Sequence, residues 1–381
     1  MSAGRNAGLV GAALGVLAAG AAAGLLAERK LLGRSIQGRT LDGEPFGSRH
    51  SEPRIVTTDD GVELWVEVEQ PRPGAAYGDL TVIFCHGYAL NLDCWYFQRR
   101  GLGGAARLVF WDQRGHGRSG RGETGTHSIY RTGRDLAEVL EAVAPTGPVV
   151  LVGHSMGGMS VMAYADQHPE VFGDRIVGVA LLSTSAGGMG EVTLGVPKPV
   201  ARLAHTLAPR FVSVLARSPK AIARGRKSGS DLGFLLTRMY SFASPVPPSL
   251  VDFTAEMLAS TPFEIVAEFF PSFDQHDLVD ALPPLQKVES LVMVGDQDHL
   301  TPAEHSRDIA RVVPGAELHV LDRCGHMIVL EYPDIVNERL RELLDRSLRL
   351  AQNVLSPADV RASAKSRRSR TIRGSRTEKS A

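Results

Sequence analysis

The feature that most constrains the fold is the run Val149-Val150-Leu151-Val152-Gly153-His154-Ser155-Met156-Gly157-Gly158, where apolar β-formers stop at a glycine-flanked serine and a helical pattern begins. A short apolar run ending in turn residues is the pattern of a buried strand. A serine on so tight a strand-to-helix turn takes a strained backbone conformation, and glycine two residues before and after leaves room for the crossing chains. Its hydroxyl then stands over the carboxyl end of the sheet. A helix expected from about Met156 to His168 aims its unpaired amides beside that oxygen. The competing reading of the same residues is a glycine-rich turn with a surface serine.

A serine becomes a nucleophile when a histidine takes its proton, and that histidine needs a carboxylate to fix its tautomer. Downstream, a second buried-strand signal, Ser290-Leu291-Val292-Met293-Val294, ends in Gly295-Asp296-Gln297-Asp298-His299-Leu300-Thr301-Pro302. A third, Glu317-Leu318-His319-Val320-Leu321, ends in Cys324-Gly325-His326. Each puts a titratable residue past the carboxyl end of a strand, where open α/β sheets carry their ligand sites. The chain order is Ser155, Asp298, His326. Asp296 competes with Asp298 for the acid. The strand signal Val177 to Leu182 runs into Ser183-Thr184-Ser185-Ala186-Gly187 and offers no carboxylate.

In these landmarks the chain resembles the α/β-hydrolase superfamily. Gly295 to Pro302 looks like that family's acid loop, and Gly325-His326 with Glu331 and Pro333 looks like its histidine loop. His86-Gly87-Tyr88, after the strand Leu80 to Cys85, resembles the oxyanion loop, and Trp111 to Ser119 resembles the Asp-x-Arg-Gly-x-Gly-x-Ser loop beside it. The resemblance covers roughly residues 53 to 350. It implies that Asp298, four residues before Pro302, is the acid and Asp296 an exposed loop residue. It also implies that the backbone amides of Tyr88 and Met156 form the oxyanion hole. Serine at the nucleophile position argues against the epoxide hydrolase and haloalkane dehalogenase branches, whose nucleophile is a carboxylate. Of the 12 histidines, only His326 combines a preceding strand, a glycine and a following helix. His86 and His116 are expected to bond backbone, His154 to pack beside the serine, and His168, His276, His299, His305 and His319 to be solvated or structural.

The implied architecture is an α/β-hydrolase fold: a mainly parallel sheet flanked by helices, entered through an antiparallel hairpin of Ile55 to Thr58 and Val62 to Glu69 turned at Asp60-Gly61. The core is expected over 53–185 and 288–351, with a helical cap over 186–287. The activity expected is serine ester hydrolysis through an acyl-enzyme, on an ester with an apolar acyl group. A C–C bond or thioester hydrolase, a cofactor-free haloperoxidase or perhydrolase, and a non-catalytic binding protein remain as alternatives.

Composition bounds the partners. Lys and Arg total 42, as do Asp and Glu, so net charge points to no nucleic acid. Between Glu191 and Tyr240, however, nine basic residues (Lys198, Arg202, Arg210, Arg217, Lys220, Arg224, Arg226, Lys227, Arg238) face two acidic ones, which fits a solvated helical surface or a membrane-facing one. Ala7 to Ala27 carries 21 uncharged residues, the length of a bilayer core, within an apolar segment 1–34. Its heavier positive flank, Glu28-Arg29-Lys30 and Arg34, follows it, which predicts membrane association with the catalytic domain cytoplasmic. Secretion after signal-peptide cleavage at small residues such as Ala21 or Ala23 is the rival. Residues 356–381 are polar and basic and are expected to be a disordered tail. Cys85, Cys94 and Cys324 have no metal-ligand spacing and suggest no disulfide framework. No phosphate loop or metal cluster is found, so no cofactor is expected, and the partner is a small-molecule ester or acyl substrate.

Overall fold

A computed structural model of the chain describes residues 45–47, 51–193 and 230–355. Eight strands, β1 (Pro53–Thr57), β2 (Glu63–Glu69), β3 (Tyr77–Cys85), β4 (Ala106–Trp111), β5 (Val149–His154), β6 (Ile176–Leu182), β7 (Glu289–Gly295) and β8 (Glu317–Leu321), form one sheet. Their order is β1-β2-β4-β3-β5-β6-β7-β8. The first hairpin is antiparallel and turns at Gly61, whose φ of +82° suits glycine. β2 pairs antiparallel with β4, and every later pairing is parallel. β5 lies at the centre, with Leu151 level with Ile83 on β3 and Val179 on β6. Both faces of β5 and β6 are covered, and all of their residues are buried. That is why they read as unbroken apolar runs rather than alternating ones.

Successive side chains of the strands point to opposite faces, and the core divides accordingly. Val150, Val152, Ala180, Leu182, Leu291 and Met293 pack in one cluster with α1 (Tyr96–Leu102) and the long α9 (Pro333–Leu355). Val149, Leu151, Val179, Leu181 and Val292 pack in another with α2 (Ile129–Val143), α3 (Met156–Gln167) and α7 (Ala303–Val312). Helix α2 presents Ile129, Leu136, Val139, Leu140 and Val143 at helical spacing, and Ser128 caps it by accepting from the Arg131 amide at 3.2 Å. A Cβ on Gly133 would lie 2.8 Å from Cβ of Ala163, so α2 lies directly against the backbone of α3.

Between β6 and β7 the described chain forms α4 (Ser230–Ser241), α5 (Pro248–Ser260) and α6 (Phe263–Asp274); the short α8 (Ile328–Glu331) follows His326. Of the nine basic residues counted in this interval, Arg238 lies within the described residues, and it donates to the Phe242 carbonyl at 2.6 Å. The segment Ala7 to Ala27 and the tail 356–381 lie outside them. Among the described residues, no helix is long and apolar enough to cross a membrane.

Candidate active site

Ser155 stands between β5 and α3 with φ +52° and ψ −123°, a conformation rare for any residue with a side chain. The turn is tight because two backbones cross there. A Cβ on Gly153 would lie 2.5 Å from the Gly157 carbonyl oxygen, and a Cβ on Gly157 would collide with the Cys85 carbonyl. Hydrogen bonds fix the turn from the β6 side: the Ser155 amide donates to Leu182 O at 2.9 Å, and Thr184 Oγ1 donates to Ser155 O at 2.7 Å. The Ser155 side chain is half-buried, and its hydroxyl makes no hydrogen bond among the described residues. The Met156 amide, first in α3, likewise has no acceptor among them.

Asp298 and His326 meet. Asp298 Oδ2 accepts from His326 Nδ1 at 2.8 Å and from Thr301 Oγ1 at 2.8 Å, while Oδ1 accepts the amides of Leu300 and Thr301, each at 2.9 Å. Burial alone would raise the carboxyl pKa; the neighbouring imidazole and these donors outweigh it and hold the pKa below the usual value. Asp296 is exposed, and its Oδ1 accepts the Cys324 amide at 3.2 Å, which helps turn the histidine loop. Glu331 braces that loop from the other side, accepting from the amides of Gly325 at 2.7 Å and Ala243 at 2.9 Å.

His154 links the serine turn to the histidine loop. Its Nε2 lies 2.9 Å from the carbonyl oxygen of His326, and the two rings are 5.0 Å apart. A carbonyl can only accept, so His154 carries its proton on Nε2. Burial, reinforced by the nearby His326, pushes its pKa down to about 3, which keeps it neutral.

The loop after β3 approaches the same place. A Cβ on Gly87 would lie 2.9 Å from His154 Nδ1 and 3.1 Å from Ser155 Cβ, so only glycine lets Tyr88 follow so near the serine. His86 donates from Nδ1 to Gly87 O at 2.8 Å and accepts the Gln113 amide on Nε2 at 2.9 Å; burial holds its pKa well below the usual value. Gln113 Oε1 in turn accepts from Ser160 Oγ of α3 at 2.7 Å. The loops after β3 and β4 are thereby tied to the helix that begins at Met156. The Tyr88 amide has no acceptor among the described residues, and its hydroxyl donates to the Val266 carbonyl in α6.

The remaining histidines are mostly structural. His116 donates to Arg114 O at 2.9 Å, and burial lowers its pKa to about 4. His276 and His305 both bond Ser185, at 2.7 and 2.6 Å, and His319 bonds Glu317 at 2.6 Å. His168 lies 3.6 Å from Glu170, and His299 is exposed. The three cysteines are free and buried. Among the described residues, no three His, Cys, Asp or Glu side chains are grouped to hold a metal.

Several partners were not legible in the sequence. Thr301 stands three residues from Asp298, a spacing at which a hydroxyl and amide can answer a carboxylate, and that local signal could have revealed it. His127 bonds Glu268 at 2.7 Å and Tyr88 bonds Val266, across separations of 141 and 178 residues. No short-range pattern marks such pairs.

The family model described as alpha/beta hydrolase fold matches residues 81–333. The chain is 28% identical over 298 residues to a non-heme chloroperoxidase of Streptomyces lividans, covering 75% of this chain and 97% of that one. It is 26% identical over 311 residues to a 2-hydroxy-6-oxononadienedioate/2-hydroxy-6-oxononatrienedioate hydrolase of Burkholderia vietnamiensis, covering 77% and 95%. Among solved structures, it is similar to a thermophilic esterase from Thermogutta terrifontis, with a TM-score of 0.61 and 25% identity over 78% of this chain and 99% of that one.

Proposed function

We propose that this chain, which belongs to the α/β-hydrolase fold family by its match over residues 81–333, is a serine ester hydrolase that works through an acyl-enzyme. The observation that carries the reading is the buried 2.8 Å hydrogen bond between Asp298 and His326 Nδ1, in a loop whose His326 carbonyl is bonded at 2.9 Å by His154, the residue before the strained Ser155. With its Nδ1 proton committed to Asp298, His326 presents Nε2 as the base. Ser155 Oγ attacks the ester carbonyl, and its proton passes to His326 Nε2. The oxyanion takes the N–H groups of Tyr88 and Met156, both of which lack another acceptor among the described residues. His326 returns the proton to the departing alcohol; water then attacks the acyl group by the same route and releases the acid. The half-buried ring of Phe273 against Tyr88 favours an apolar acyl group. Interval 186–287 is the cap in this reading, and Ala7 to Ala27 tethers the enzyme to a membrane with the catalytic domain cytoplasmic.

A fluorophosphonate probe is expected to label the wild type and to leave Ser155→Ala unlabelled. Asp298→Asn is expected to lower kcat by about 10⁴-fold, because the amide stabilises the wrong tautomer, while Asp296→Asn stays near wild type. Equal labelling of Ser155→Ala, or the opposite ranking of the two aspartates, refutes the assignment. The likeness to the chloroperoxidase over 97% of that chain favours a second reading, a cofactor-free haloperoxidase on the same residues. Peroxide-dependent halogenation outpacing hydrolysis of a p-nitrophenyl ester series would select it.

A further inference from the structure

The start of α6 is bound to the scaffold independently of Tyr88. Glu268 Oε2 accepts from His127 Nδ1 at 2.7 Å and from the Gly125 amide at 3.2 Å. Ile265 fills the space beside Gly115, where a Cβ would lie 2.7 Å from its Cγ2. From this fixed position the segment makes four contacts with the loop after β3, one of them Phe269 edge-on to the Tyr88 ring at 6.4 Å. The Tyr88 hydroxyl donates to Val266 O, Thr261 Oγ1 donates to Ala89 O at 3.1 Å, and Phe273 meets the Tyr88 ring edge-on at 4.8 Å.

The loop needs holding. Leu90 N donates to Gly87 O at 3.2 Å, closing a turn around Tyr88 and Ala89, and Ala89 sits at φ +57°. A non-glycine residue in this region is strained and keeps the conformation only where its surroundings over-determine it. The orientation of the Tyr88 amide follows from the same turn.

We infer that the segment Thr261–Phe273 is a strap that presets the Tyr88 amide for the oxyanion, with the hydroxyls of Tyr88 and Thr261 as positioning residues. The inference rests on the proposed role of that amide. The phenol is not itself the oxyanion donor, since its one proton is committed to Val266 O, and burial raises its pKa so that it stays neutral. Strap and hole are therefore separate in function: the side chain of Tyr88 holds, and its backbone acts.

The test compares Tyr88→Phe and Thr261→Val, each of which removes one strap hydrogen bond and nearly preserves shape. Four quantities are measured: kcat, KM, the affinity for an alkylboronic acid that mimics the tetrahedral adduct on Ser155, and the affinity for an unreactive ketone analogue of the substrate. Removing an oxyanion donor outright costs about 10²–10³-fold, so loosening one is expected to lower kcat about 5–20-fold. Boronate affinity should fall by the same factor, while KM and ketone affinity stay within twofold. Thr261→Val carries the test alone if Tyr88→Phe does not fold. Unchanged kcat and boronate affinity overturn the inference, and so does a rise in KM alone, which would make α6 a pocket wall only. If wild-type protein neither binds the boronate nor is labelled at Ser155, the esterase reading itself falls, a result distinct from variants that match an active wild type.

Discussion

Replacing Ser155 by glycine is expected to abolish activity and at the same time to stabilise the protein relative to Ser155→Ala. At φ +52° and ψ −123° the serine occupies a region that a residue with a Cβ reaches at a cost of order 1–3 kcal/mol. Alanine keeps that cost and glycine removes it. The hydroxyl adds nothing to offset this, because Ser155 occupies the N-cap of α3 without a side-chain capping bond. Glycine has its own penalty, about 0.5–1 kcal/mol of additional chain entropy in the unfolded state. The strain relieved less the entropy lost leaves Ser155→Gly about 0–2.5 kcal/mol more stable than Ser155→Ala, with a centre of about 1 kcal/mol. For a domain of this size 1 kcal/mol moves Tm by roughly 2 °C, so calorimetry is expected to show a gain of about 2 °C and at most about 5 °C. Alanine as the reference cancels the loss of the hydroxyl and isolates the backbone. If the glycine variant melts at or below the alanine variant, the turn is not strained, and positive φ is not what presents the serine.

Histidine burial gives a pH-dependent counterpart. His154 has an unfolded value near 6.5 and a folded value of about 3 because burial opposes its charge, so the unfolded chain binds a proton that the native one refuses, and stability falls as pH drops below about 6.5. Between pH 7 and 5 this one group removes about 2 kcal/mol; urea unfolding of wild type is expected to lose that much more than His154→Gln, and equal losses in the two proteins refute the neutral burial. Full-length protein is expected to sediment with membranes and protein lacking Met1 to Arg34 to remain in the supernatant. A soluble full-length protein ends the tether reading without touching the chemistry.

What the sequence disclosed follows the range over which each signal acts. The central parallel strands were legible because burial on two faces writes an unbroken apolar run into a few adjacent residues; β8, an edge strand whose residues are all half-buried, spans Glu317–Leu321 without that pattern. The hairpin was legible because Asp60-Gly61 supplies the positive φ that its turn demands. β3 begins at Tyr77, three residues before the apolar run that announced it, and its register with β4 shifts between Tyr77 and Thr81, an irregularity that composition does not mark. The strap over Tyr88 was invisible for a different reason. Helix α6 has an ordinary amphipathic pattern; which loop it lies across depends on Glu268 reaching His127 and the Gly125 amide, and on Ile265 finding the space that Gly115 leaves.

The choice between Asp296 and Asp298 lies between these cases. Both carboxylates follow β7, two residues apart, so strand-end position cannot separate them. The separation comes from the next turn: Asp298 Oδ1 accepts the amides two and three residues ahead, and Thr301 adds its hydroxyl to Oδ2. An aspartate bonding forward in this way folds back over its own backbone. That geometry buries the carboxylate at the edge of the sheet where His326 arrives, whereas Asp296 remains exposed and takes the Cys324 amide. One aspartate thus shapes the histidine loop and the other meets the histidine. The residues alone leave both aspartates open, and only the family resemblance, through Pro302 four residues beyond Asp298, ranks them; the forward bonds to Leu300 and Thr301 supply the physical reason for that ranking.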